Sequence, residues 1–193
     1  MTKIAIIIGS TRPGRKGKDV ADWVFAHASQ RDDAEFELVD LADYPLPHLD
    51  EPLPPRMGQY QNEHTRVWSK KISEFDGYIF VTPEYNHSTS GVLKNAIDYL
   101  HTEWNNKAAA FVGYGGVGGA RAIEHLRLVL AELQVATVRQ TLTLSTLTEF
   151  ENLSTFKPGD YQLGFLDTLL DQLIAWSEAL EPLRARKDEE RAA

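Results

Sequence analysis

Gly9-Ser10-Thr11-Arg12-Pro13-Gly14-Arg15-Lys16-Gly17-Lys18 is the stretch whose reading decides the fold. The apolar run Ile4-Ala5-Ile6-Ile7-Ile8 leads into it, and a helical pattern opens near Asp19. A buried strand that feeds a glycine-rich turn into a helix start gathers free N–H groups and the positive end of a helix dipole around one point. That arrangement holds a phosphate. Arg12, Arg15, Lys16 and Lys18 cluster where the dipole alone favours acidic residues, in a chain of net charge −8. Such an excess implies a compensating anion. The stretch is not a dinucleotide fingerprint, because Thr11 stands where the second glycine belongs. It is not a Walker A loop either, since Gly14 is followed by Arg15-Lys16 and Gly17-Lys18 by Asp19. A phosphate turn for a mononucleotide remains.

The rest of the composition narrows the class. A chain of 193 residues, 42% hydrophobic and 25% charged, suits one globular domain with a proper core. Zero cysteines exclude disulfides, thiolate metal clusters and thiol redox chemistry. The acidic balance argues against broad nucleic-acid binding, which needs a basic face. Six histidines show no zinc-ligand spacing, so no metal site is expected. The first apolar run is too short for a signal core or a membrane span, and a cytoplasmic protein is expected.

Apolar runs alternate with helical patterns along the chain. Ile4 to Ile8, Tyr78-Ile79-Phe80-Val81 and Ala108 to Val112 are continuous, as in central strands covered on both faces. Phe36 to Asp40 carries interleaved charge and reads as an edge strand, and Val135 to Val138 as a short fifth strand. Helices are expected around 18–29, 63–74, 91–101, 119–133 and 162–182. Five strands alternating with five helices imply a doubly wound parallel sheet, an α/β sandwich of three layers. Residues 1–183 form one domain in this reading, and 184–193 a charged, disordered tail. The segments Asp43 to Asn62, rich in proline, and Leu142 to Tyr161 read as irregular.

Ligands of such sheets bind beyond the carboxyl ends of the central strands. Three special loops fall there: the turn after Ile8, the stretch Thr82 to Gly91 after Val81, and Gly113 to Gly119 after Val112. Together they make a mononucleotide site with a phosphate end and a ring end. The chain at this point resembles the NADPH-dependent FMN reductases of the flavodoxin-like superfamily, which include quinone, chromate and azo reductases. The resemblance rests on Gly9-Ser10-Thr11-Arg12, on Pro83-Glu84-Tyr85-Asn86 with Ser90 to Asp98, and on Gly115-Gly116-Val117-Gly118-Gly119. It covers roughly residues 3 to 138.

The resemblance implies a flavodoxin-like fold, an FMN cofactor, and NADPH or NADH as co-substrate. It places the FMN phosphate on Ser10, Arg12, Gly17 and Lys18. It puts Pro83, Glu84, Tyr85, Asn86 and His87 beside the isoalloxazine, and Gly115, Gly116, Val117 and Gly118 over its pyrimidine side. Many relatives carry a serine-asparagine pair in the first loop where this chain has Gly17-Lys18-Asp19. The flavin carries the chemistry, so no catalytic side chain is expected. The implied activity passes hydride from NAD(P)H to FMN and on to a flavin, quinone or similar small-molecule acceptor. An electron carrier, or a reductase serving a monooxygenase, shares the same residues. A homodimer or homotetramer is implied, with the Val92 to Trp104 region and Trp104 itself at an interface. Asp40 suits a capping role, and Arg121 a contact to pyridine-nucleotide phosphate.

Overall fold

A computed structural model describes residues 1–185. Five parallel strands, β1 (Thr2–Ile8), β2 (Ala34–Asp40), β3 (Gly77–Pro83), β4 (Ala108–Gly115) and β5 (Ala136–Ser145), form one sheet in the order β2-β1-β3-β4-β5. The helices are α1 (Gly17–Ala28), α2 (Glu63–Ser73), α3 (Gly91–Asp98), α4 (Ala120–Glu132) and α5 (Tyr161–Ala179). The expected three-layer sandwich is present, with the flavodoxin-like strand order.

Strand side chains alternate faces, and both faces here are covered. Ile4, Ile6 and Ile8 join Val20 and Val24 of α1 and Leu166, Leu169 and Leu173 of α5 in one core. Ala5 and Ile7 join Trp68, Ile72, Leu93, Ile97 and Leu126 in the other. A strand buried on both sides must be apolar at every position, which explains the uninterrupted runs in β1, β3 and β4. The chain leaves β1 toward β2 and later returns to its other side as β3. The strand order therefore reverses at β1/β3, and a crevice opens beyond those carboxyl ends.

Four expectations need correction. β5 runs to Ser145, so the segment expected to be irregular from Leu142 starts as strand, with Leu142 and Leu144 buried and paired to Val112 and Tyr114. Past β5 the chain forms a small antiparallel pair, β6 (Phe150–Glu151) and β7 (Thr155–Phe156). α3 stops at Asp98 rather than continuing to 101, and Trp104 folds back beneath it. Its indole Nε1 donates to Ile97 O at 3.1 Å, and its ring meets Tyr78 at 4.9 Å and Phe80 at 6.1 Å. Trp104 is thus core, fully buried, and not an interface residue. Arg184, placed at the start of the tail, is anchored by Asp76 at 2.9 Å and by the carbonyls of Ser177 and Asn106. Residues 186–193, the rest of that expected tail, lie outside the described residues.

The proline-rich segment is irregular but fastened. Tyr99 donates to Asp50 at 2.9 Å, Asn95 to Pro47 O at 2.7 Å, and the amides of Gln61 and Asn62 to Glu51. It lies over α3 and walls one side of the crevice. Among the described residues no helix is long and apolar enough to cross a membrane.

Candidate active site

The first turn is built against its neighbours. Gly9 leaves β1 donating to Val81 O at 2.8 Å, and a Cβ on Gly9 would stand 2.8 Å from both Val81 O and the Leu93 side chain. Ser90 caps α3 by accepting from Leu93 N at 3.2 Å, and the same hydroxyl donates to Gly9 O. Ser10 is buried, its Oγ 3.1 Å from the Tyr85 hydroxyl. Tyr114, at the end of β4, brings a third hydroxyl to this floor and approaches Gly17 closely enough that a Cβ there would lie 2.6 Å from it. Burial pushes the Tyr114 phenol well above its ordinary range, so it remains a neutral donor.

Charge pairing corrects the expectation that one anion compensates all four cations. The register pairs Ile8 with Asp40, and that carboxylate takes Arg15 in a two-pronged ion pair, one bond at 2.7 Å. Asp40 also accepts from Ala42 N at 2.9 Å, which is the expected capping role. Lys18 pairs with Asp22 at 2.6 Å one helical turn along α1. Arg12 and Lys16 have no carboxylate partner among the described residues. Arg12 sits 5.9 Å over the Tyr85 ring. The N-cap residue of α1, Lys16, makes no side-chain capping bond. Two unpaired cations and an uncapped helix start surround one turn, and that combination takes an anion.

The second loop is a tight hairpin. Tyr85 and Ser88 exchange backbone bonds of 2.9 and 3.1 Å around Asn86 (φ 49) and His87 (φ 67). Two consecutive left-handed residues define a primed turn, here without glycine; each costs about 1–3 kcal/mol unless its surroundings enforce it. The enforcement comes from α4. Arg121 closes on Glu84 and reaches His87 Nε2 at 2.8 Å, and His125 meets Ser88 Oγ at 3.0 Å. Burial pushes the Glu84 carboxyl up, but the bonds from Arg121 outweigh it and hold the group below its usual value. Arg121, read from sequence as a nucleotide contact, is instead paired on the surface with Glu84 and His87.

The third loop separates its glycines by role. Gly118 (φ 69) backs onto Thr143, where a Cβ would lie 2.7 Å from Thr143 Cβ and 2.8 Å from its carbonyl carbon. Gly116 faces open space. The Gly115 carbonyl accepts from Gly118 N and Thr146 N, and Ser145 Oγ donates to Gly116 O. The amides of Gly116 and Val117 carry no hydrogen bond among the described residues, and neither do those of Asn86 and His87. Between the first turn, the proline-rich segment and α3 lies a cleft of about 340 Å³ lined by Thr11, Tyr44, Leu46 and Val92.

The crevice thus brings Ser10, Arg12 and Gly17 together at one end, and residues 83–87 with 115–118 at the other; Lys18 is turned aside onto Asp22. Sequence reasoning missed Tyr114, the bridging role of Ser90, and the Glu84–Arg121 pair. For Ser90 the signal was a cap-forming residue opening an apolar helix. The other two depend on contacts between distant segments. The residues present suit FMN: an anion cradle for its phosphate and two pairs of free amides for the polar edge of a flat ring.

Comparison with known proteins gives the same answer. The family model described as NADPH-dependent FMN reductase matches residues 2–149. An NAD(P)H-dependent FMN reductase, ntnL, from Nectria sp is 42% identical over 159 residues, spanning 77% of this chain and 79% of the relative. A 2-hydroxy-1,4-benzoquinone reductase from a Burkholderia species is 35% identical, over 72% of this chain and 75% of its own. Among solved structures, FerB, a flavoenzyme NAD(P)H:(acceptor) oxidoreductase from Paracoccus denitrificans, superposes with a TM-score of 0.71. It is 23% identical and covers 93% of this chain and 98% of its own, which shows a shared fold.

Proposed function

The chain belongs to the NADPH-dependent FMN reductase family, and on that premise we propose that it binds FMN and works as an NAD(P)H-dependent reductase of flavin or quinone-type acceptors. One observation carries the reading: an unpaired basic cradle at the carboxyl end of β1 faces two turns with free amides across the β1/β3 reversal. Bound FMN supplies hydride and electron transfer between NADPH or NADH and the acceptor.

The chain's own residues bind and orient. Arg12 and Lys16 neutralise the phosphate, Ser10 donates to it, and the first amides of α1 from Gly17 complete the cradle. Lys18 adds long-range charge from its place beside Asp22. The Pro83 to His87 turn sits along the ring, where Tyr85 links the two ends by bonding Ser10. Gly116 and Val117 present free amides toward the pyrimidine side, with Gly115 and Gly118 shaping the loop that carries them; negative charge gathers there on reduction, and fixed donors stabilise it. A homodimer or homotetramer belongs to the same proposal. It is supported by an apolar groove of about 480 Å³ between α3 and α4, lined by Leu128 and Val129 beside the hairpin.

The test is a flavin spectrum of the purified protein with titrations of FMN and riboflavin, followed by steady-state NADPH oxidation with a quinone. FMN binds much more tightly than riboflavin, and turnover requires both substrates. Equal affinity for the two flavins would remove the phosphate cradle from the argument. Tight FMN without NAD(P)H oxidation would make the protein a carrier instead.

A further inference from the structure

We infer that His87 offers its Nδ1–H as a donor to a carbonyl oxygen of the incoming substrate, and that Arg121, pinned by Glu84, is the positioning residue that fixes it. This rests on the reading of the site as a flavin site and deepens it.

Three side chains from two elements form the device. Glu84 follows β3 with its side chain only 6% exposed, and Arg121 stands in the first turn of α4. The guanidinium grips Glu84 through Nε at 2.6 Å and through Nη2, and the Arg121 amide adds a bond of 3.0 Å to the same carboxylate. A cation at the positive end of a helix is misplaced on its own, and the first turn of α4 contains no acidic residue. Glu84 supplies the missing carboxylate from another element, so Arg121 is held rather than free to turn outward.

The remaining donor, Nη1, meets His87 Nε2 at 2.8 Å. A guanidinium has no lone pair to offer, so Nε2 must accept and the ring proton must sit on Nδ1. In this contact Arg121 therefore selects one tautomer of the His87 ring. Nδ1 makes no hydrogen bond among the described residues, on an exposed residue of a turn whose left-handed backbone the same contacts enforce. A fixed N–H at the ring end of the site matches a carbonyl oxygen. Two substrates of the proposed reaction carry one: the nicotinamide carboxamide and the quinone.

The test begins without cofactor. Nitrogen-15 NMR of the histidine ring in the apo protein should show His87 as the Nδ1–H tautomer, and Arg121→Met should shift it to a mixture; Arg121→Lys should restore it in part. An Nε2–H tautomer in the unaltered protein, or no shift in Arg121→Met, overturns the inference whatever the flavin does. His87→Asn keeps a residue type that tolerates the left-handed turn. With FMN saturating, stopped-flow separates reduction by NADPH from reoxidation by a quinone. A weakening of about tenfold in the apparent affinity of one half-reaction, the size of one neutral hydrogen bond, should appear in both His87→Asn and Arg121→Met. The affected half-reaction identifies whether the carboxamide or the quinone is the partner. Neither half-reaction changing in His87→Asn overturns the donor role and leaves the FMN reading standing.

Discussion

The two ends of the sheet treat their charged groups in opposite ways. Beside the amino ends of β3 and β4 lies a polar cavity of about 420 Å³, lined by Tyr60, Ser69, Asp76, Glu103, Lys107 and Arg184. Its groups close on one another. Arg184 bonds Asp76, Glu103 accepts from Tyr60 at 2.9 Å and Ser69 at 2.6 Å, and Lys107 donates to Ile72 O at 3.1 Å and Tyr78 at 2.9 Å. At the carboxyl ends, among the described residues, Arg12 and Lys16 lack carboxylates, α1 lacks a side-chain cap, and four turn amides lack acceptors. A cavity whose polar groups satisfy each other is structure. One whose charged and amide groups face solvent without protein partners is open to a ligand that offers an anion and acceptors. Volume does not make the distinction; the amino-end cavity is roomier than the cleft of about 340 Å³ beside the first turn.

The contrast makes substitutions at the carboxyl end alter binding, and those at the amino end alter stability. Gly118 is the exception that sharpens the rule. Gly118→Val forces a branched residue into positive φ and drives its Cβ into Thr143, so it should cost about 3–5 kcal/mol of folding stability, read by denaturant unfolding. Gly116→Val, two residues away in open space, should leave stability within about 0.5 kcal/mol while lowering the flavin potential and slowing its reduction by NADPH. Equal melting behaviour of the two variants would erase the division inside this loop.

Arg12→Ala should weaken FMN by about 1.5–3 kcal/mol, the range for a hydrogen bond to a charged group, with the apo melting temperature and riboflavin affinity unchanged. Arg184→Ala is its mirror image. Losing the Asp76 pair and two carbonyl bonds should lower stability by about 1–2 kcal/mol, with FMN affinity untouched by isothermal titration. A loss of FMN affinity in Arg184→Ala would break the comparison outright. The smallest effect is expected from Lys18→Ala, since its ammonium is exposed and already paired with Asp22. FMN affinity should barely move, and a loss comparable to that of Arg12→Ala would restore Lys18 to the cradle.

How much the sequence made legible depends on how far apart the determining residues lie. β1, β3 and β4 are covered on both faces, so their own residues spell out burial without reference to a partner. β5 lies at an edge, and its second half alternates Thr141, Thr143 with buried Leu142, Leu144; from sequence that alternation merges into the irregular stretch after it. The first turn announces its chemistry through local charge. The division of its cations does not show, because Asp40 reaches Arg15 only through the β1/β2 register. Trp104 looks like a surface aromatic beyond a helix. Its burial is decided by Trp68, Tyr78 and Phe80, which arrive from two other elements. The Glu84–Arg121–His87 device joins residues 37 and 34 positions apart, beyond any periodicity.

Ser90 gives the crevice a property that neither turn has separately. One hydroxyl caps α3 and holds the Gly9 carbonyl, so order imposed on the first turn is delivered to the start of the helix behind the second. The two halves of the cofactor are then thermodynamically linked through the protein, even when no covalent bond joins them. In the proposed binding mode, phosphate in the first turn should therefore tighten riboflavin, and riboflavin should tighten phosphate by the same factor. FMN gathers that cooperativity into a single molecule, and its ribityl tether adds the effective concentration of one half at the site of the other.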